Sequence, residues 1–222
     1  MFYETVTNEW GELTYVPTVP GNILLAGLIL ILLLAAMLLA GRKSRRLSVR
    51  QLAFCAVAIA LGTVLSHLKL FRFPSGGSIT VFSMLVVCLP GYWFGLGAGL
   101  MTGIAYGVLQ ILIDPYILFP AQLIVDYLLA FGALGLSGLF TNSRHGLVKG
   151  YLAGVSGRYL FAVLSGWLFF STYAWEGWSV LSYSLVYNGI YIYAEALATI
   201  LLLSLPPVKS ALARVKKTAL TP

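Results

Sequence analysis

The sequence predicts an all-α protein that crosses a lipid bilayer several times, and three observations carry that prediction. Of 222 residues, 59% are hydrophobic and only 9% charged, against about 25% charged in soluble domains. Mean hydropathy is +0.91. The apolar residues gather in stretches of about 20, the length a helix needs to cross roughly 30 Å of hydrocarbon. Water-soluble, disordered and collagen-like chains are thereby excluded, the last two also by an aromatic content of 14%.

Taken in order, the spans fall near 22–40, 50–68, 79–94, 96–113, 119–140, 150–171 and 184–205, seven helices in all. The first is a continuous apolar run from Ile23 to Ala40, preceded by acidic residues and followed by Arg42, Lys43, Arg45, Arg46 and Arg50. A cleaved secretory signal has the reverse charge order, so this span is expected to be a retained helix. The positive-inside rule puts that basic run in the cytoplasm and the amino terminus outside. With alternation, Arg144, Lys149, Lys209, Arg214, Lys216 and Lys217 are also inside, while Glu4, Glu9, Glu12, Asp114 and Glu176 are outside with Lys69 and Arg72. The organisation read from this is an amino-terminal segment, extra helix and basic loop (1–46), a six-helix membrane domain (47–207) and a basic cytoplasmic tail (208–222). The net charge of +7 lies at the ends of apolar segments rather than on one face, so the expected partner is the bilayer and not nucleic acid.

Within the second span, Ala53, Ala56 and Ala60 are small residues, the last two one turn apart on one face. They suit packing inside the bundle or docking of another membrane protein. Gly91, Gly95, Gly99, Gly103 and Gly107 recur every four residues and read as a smooth column on the fourth span, where helix backbones approach closely. Cys55 and Cys88 read as small packing residues. With only His67 and His145 as histidines, a histidine-rich metal site is excluded. No cofactor motif stands out.

Three ionisable residues, Asp126, Arg158 and Glu195, lie within spans, where a charge costs on the order of 3 kcal/mol and needs a partner or a cavity. Counting about 1.5 Å per residue from the outer ends, Arg158 and Glu195 reach similar depth and are expected to form a structural ion pair. Asp126 is shallower and left without an evident cation. Around its depth fall Tyr106, Tyr116, Tyr127, Phe170, Tyr173, Trp175, Trp178 and Tyr183. Some belong to an interfacial aromatic belt. Together with one carboxylate and the amide of Asn188, they also suit a flat cationic ring, held by stacking, cation–π attraction and hydrogen bonds.

An ordered series of residues also carries a family resemblance. It runs through Pro74-Ser-Gly-Gly-Ser-Ile79, Tyr92-Trp-Phe-Gly95, Gly99-Leu-Met-Thr-Gly103, Tyr116-Ile-Leu118, Gln122, Asp126-Tyr127, Ala130-Phe131, Arg158-Tyr159, Ser165-Gly166, Phe169-Phe170, Tyr173-Ala174 and Tyr183-Ser-Leu-Val-Tyr-Asn-Gly189. Over about residues 48 to 206 the chain resembles the thiamine-specific S component of energy-coupling-factor (ECF) vitamin transporters. The resemblance implies a six-helix S-component core, here with one extra amino-terminal transmembrane helix. It implies capture of thiamine, or a related cationic vitamin or precursor, from outside. It also implies docking, through Ala56 and Ala60, on a transmembrane coupling protein carrying two ATPase subunits. Ligand positions carried over are Tyr116, Asp126, Tyr127, Tyr183 and Asn188, with Phe170 and Tyr106 added by the aromatic grouping. Asp126 stands where the family more often has Glu, Ala162 where it has His, and Phe170 where it has Trp.

Two other classes are weighed. Gly154-Val-Ser-Gly157 matches a glycine-x-serine-glycine pattern of intramembrane serine proteases, but no histidine follows His145 to take the serine proton. Proton-coupled transport through Asp126 is the other alternative.

Overall fold

The computed structural model describes residues 3–7, 13–20, 23, 47–73, 76–119 and 121–221. Apart from Ile23, the expected first span lies outside the described residues, as do Arg42, Lys43, Arg45 and Arg46. Ahead of it, strands β1 (Tyr3–Thr7) and β2 (Leu13–Pro17) pair antiparallel, Tyr3 opposite Pro17.

The membrane domain begins with α1 (Val49–His67), whose start is fixed by a reciprocal cap: Gln51 N–H donates to Ser48 Oγ at 3.2 Å and Ser48 N–H donates to Gln51 Oε1 at 3.1 Å. A hairpin follows, β3 (Lys69–Arg72) against β4 (Ser78–Thr80). Next come α2 (Ser83–Phe94), α3 (Leu96–Ile113), α4 (Leu123–Phe140), α5 (Gly146–Phe169), α6 (Val180–Ser204) and α7 (Pro206–Leu220). Five of them, α1 and α3 to α6, are long and apolar enough to cross a membrane. Their outer surfaces are apolar too, with Leu160 66% and Leu197 61% exposed, which in a membrane means contact with lipid. The chain is therefore a multi-pass helical membrane protein.

Three expectations are corrected. The third span is not one helix from 79 to 94: the chain is extended to Thr80, turns at Phe82 with φ 57°, and only then winds into α2. At about 1.5 Å per residue, this 12-residue helix is about 18 Å long, and the hairpin occupies the remaining depth. The glycine column also divides, because Gly91 is on α2 and Gly95 (φ 95°) is the joint between α2 and α3. Only Gly99, Gly103 and Gly107 line α3, facing backbone of Gly135, Phe131 and Tyr127 on α4. Lastly, residues 206–220, read only as a basic tail, form a helix.

The core lies between α2, α4, α5 and α6, where Val87, Leu134, Tyr151, Val155 and Ile192 are buried. One end of the bundle carries the hairpin together with the carboxyl ends of α3 and α5 and the amino ends of α4 and α6. The other end carries α7.

Candidate functional site

At the hairpin end, a cavity of about 250 Å³ opens between α3, α4, α5 and α6 beneath the β3–β4 hairpin. All seven expected ligand residues, Tyr106, Tyr116, Asp126, Tyr127, Phe170, Tyr183 and Asn188, line it.

Asp126 and Tyr127 stand on the first part of α4, Leu123–Leu129, which is wound wider than an α-helix. Its hydrogen bonds run from i to i+5, as from Ala130 N–H to Val125 O. Such turns are rare and recur at functional sites. Asp126 is half-buried, and Gln122 Nε2 donates to its Oδ2 at 2.9 Å. No salt bridge reaches Asp126 among the described residues, where the ion pairs join Asp114 to Lys69 and to Arg72 at the cavity rim.

Gln122, 1% exposed, organises this wall. Besides Asp126, its Nε2 reaches Tyr116 O at 3.0 Å, and its Oε1 accepts from Leu118 N–H at 2.9 Å. The hydroxyl of Tyr127 accepts from Tyr116 N–H at 2.7 Å. The loop that carries Tyr116 is thus tied to the helix that carries the carboxylate. Tyr116 in turn lies parallel to Phe170, ring centres 6.2 Å apart and planes 16° apart.

The facing wall is α6. Tyr183 and Tyr187 stack at 5.3 Å. Asn188 is 6% exposed; its amide donates to Ser184 O at 2.9 Å and its oxygen accepts from Tyr191 Oη at 2.7 Å. That oxygen has a second lone pair. α6 approaches α5 this closely because residue 166 is glycine: a Cβ there would overlap the Ser184 side chain.

The hairpin forms the lid. Gly77 N–H donates to Tyr187 Oη at 3.1 Å, and Phe73 meets Tyr187 edge-on at 5.8 Å. Gly76 has φ 82° and lies on the Tyr116 ring, so a side chain there would be strained and blocked.

The expected Arg158–Glu195 ion pair does not form. Glu195, 2% exposed, accepts from Thr80 N–H at 3.1 Å, Thr80 Oγ1 at 2.6 Å and Met84 N–H at 3.1 Å. It acts as the cap of α2, whose first N–H groups have no partner within the helix. Arg158 instead lies over the Phe131 ring, 4.6 Å from its centre, and lines the cavity. Tyr106 is 2% exposed and edge-on to Phe131 at 5.0 Å, at the cavity's deep side.

Sequence reasoning did not single out Gln122, Tyr187, Tyr191 or Phe73 as site residues. For Gln122 the signal was available: it precedes Asp126 by four residues, a spacing that brings two side chains together on a helix.

A family model described as thiamine transporter protein (Thia_YuaJ) matches residues 52–214. The chain belongs to the thiamine transporter family. The thiamine transporter ThiT of Bacillus subtilis (strain 168) is 33% identical over 156 residues, which span 64% of this chain and 80% of that protein. A solved structure of ThiT from Listeria monocytogenes is 28% identical with a TM-score of 0.60, covering 71% of this chain and 94% of that one. Membership in the thiamine transporter family bears out the resemblance read from the ordered residues, and makes the chain a transport protein rather than an enzyme. The protease-like motif agrees. Gly154 and Gly157 face Leu134 and Ala133 on α4, as packing contacts do.

Proposed function

We propose that this chain is the substrate-binding S component of an ECF-type transporter, capturing thiamine or a closely related cationic vitamin or precursor. The observation that carries this reading is Asp126: a half-buried carboxylate held by the Gln122 amide, open to an aromatic cavity, in a chain of the thiamine transporter family. Asp126 offsets the positive charge of the ligand. Tyr116 and Phe170 clamp one face of a ring, while Tyr183 and Asn188 meet its polar edges. Tyr127 fixes the loop below, and Tyr106 closes the deep side. The hairpin then shuts out water, which strengthens the charge pairing inside.

The charge distribution supports an orientation with the hairpin end and amino terminus outside and the α7 end in the cytoplasm. Uptake by this reading is driven by a partner module, a transmembrane coupling protein with two ATPase subunits. Ala56 and Ala60 are exposed on α1 beside Val57, Leu61 and Val64, and this smooth face is the proposed dock.

Trp175 lies 5.2 Å from Tyr183, so intrinsic fluorescence reports on the site. Titration with thiamine, its phosphates, and free pyrimidine and thiazole precursors is expected to quench it, thiamine at the lowest concentration. No response to any of them would overturn the reading. For the dock, Ala60→Trp is expected to leave thiamine affinity unchanged and to abolish co-purification with the coupling module; retained assembly would free Ala60 of that role.

A further inference from the structure

Helix α7 is amphipathic and runs across the end of the bundle rather than away from it. Val208, Leu212 and Ala219 recur at i, i+4 and i+11 and pack on the core. The helix begins at the foot of α6. It ends at the foot of α1, where Arg50 Nη1 donates to Thr221 O at 2.7 Å. Between these points Lys216 reaches the feet of α2 and α4, lying 3.8 Å over the Tyr92 ring and donating to Thr141 O at 3.2 Å. Lys216 is therefore committed to the fold.

Among the described residues, the remaining cations of α7 are tied to no other element: Arg214 Nε donates only to Ser210 O, one turn back at 3.4 Å. Lys209, Arg214 and Lys217 are exposed and form no salt bridge among the described residues. No Asp or Glu side chain lies between Glu195 and Pro222, and none between Asp126 and Glu176. The level at which they sit is set by their neighbours. Leu205 and Leu220, at the two ends of α7, are 49% and 48% exposed, and Val49 beside the second end is 87% exposed. Apolar side chains left outward at both ends of a cationic helix match the boundary between acyl chains and head groups better than the face of a protein partner.

We propose that α7 is an interfacial helix whose Lys209, Arg214 and Lys217 bind anionic phospholipid head groups. Each cation near such a surface favours binding, and the attraction is screened within a Debye length of salt. In the proposed orientation the leaflet is the cytoplasmic one.

The test uses the full chain purified in mixed micelles of equal phosphatidylcholine and phosphatidylglycerol, with co-purifying lipid counted by mass spectrometry. Micelles have no sides, so the result is independent of orientation. The wild type is expected to enrich phosphatidylglycerol several-fold over the bath, and to lose that enrichment at high salt. The triple variant Lys209→Gln, Arg214→Gln, Lys217→Gln is expected to return to the bath ratio, with its helical circular dichroism and melting unchanged. Arg144→Gln with Lys149→Gln, removing charge from the same end but not from α7, is expected to keep the enrichment. No preference in the wild type, or equal loss in both variants, overturns the proposal. Retention of soluble polyglutamate in place of lipid would assign the face to an acidic protein and also overturn it.

Discussion

Two carboxylates inside the membrane domain face opposite demands. Glu195 is surrounded by donors: two backbone N–H groups and a hydroxyl fill its oxygens, and 2% of the residue is exposed. Asp126 takes one amide proton from Gln122 and opens on a cavity. A buried ion whose lone pairs are filled is a fixed part of the fold, whereas one left partly open is a place for an incoming charge. The same residue class thus caps a helix in one region and, by the proposed reading, receives a ligand in another, and the supply of donors separates the two.

The strongest test of that contrast is Asp126→Asn, which keeps size and one acceptor oxygen for Gln122 but removes the charge. Deleting one partner of a desolvated ion pair costs about 2 to 5 kcal/mol, so thiamine affinity should fall by at least about thirtyfold, with melting nearly unchanged. A variant that binds as tightly as the wild type by calorimetry would remove Asp126 from the site.

Glu195→Ala should do the reverse. Leaving Thr80 and Met84 N–H groups without an acceptor costs about 1 to 3 kcal/mol each, read as a lower melting temperature in detergent. Glu195→Gln retains one acceptor and should lose less. If Glu195→Ala melted normally and only binding failed, the two carboxylates would have been assigned the wrong way round.

Much of this was legible in the sequence, for reasons that also explain what was not. Long apolar runs located α1 and α3 to α6, since a bilayer permits little else over such lengths. The hairpin escaped because Ile79, Val81 and Phe82 continue the apolar run into Ser83–Phe94, and composition alone does not separate a buried strand from a helix. That same error misplaced Glu195. A span read as one helix from 79 to 94 offers Glu195 no helix start inside the bundle, and counting depth then pairs it with Arg158. Once α2 starts at Ser83, its first N–H groups come level with Glu195. Helix α7 was missed because its cations obscured the spacing of Val208, Leu212 and Ala219. The site itself was more legible, since every expected ligand residue lines one cavity, but the residues that position them hydrogen-bond across loops and leave little trace in spacing.

Gln122→Ala probes the support rather than the charge. It removes the donor to Asp126 and the two bonds that hold the Tyr116 loop. One hydrogen bond to a charged group is worth about 1.5 to 3 kcal/mol, and a ligand cation makes up part of that loss. Thiamine affinity should therefore fall by about tenfold, less than for Asp126→Asn, with faster dissociation in stopped-flow fluorescence. A drop as large as that of Asp126→Asn would mean that Gln122 itself touches the ligand.

The smallest expected effect has the opposite sign. Phe170 lies parallel to Tyr116 and stacks with it, ring centres 6.2 Å apart, so the two rings present one aromatic wall whose faces a flat ligand ring can meet. Phe170→Trp enlarges one of those faces, and its quadrupole attracts a cation more strongly than that of Phe. If the clamp works as described, affinity should tighten by about 0.5 to 1 kcal/mol, a few-fold change, and the gain should vanish in the Asp126→Asn background if the ring's charge is what both groups hold. An equal gain in both backgrounds would show that Phe170 and Asp126 grip separate parts of the ligand, and would place the aromatic clamp on an uncharged ring.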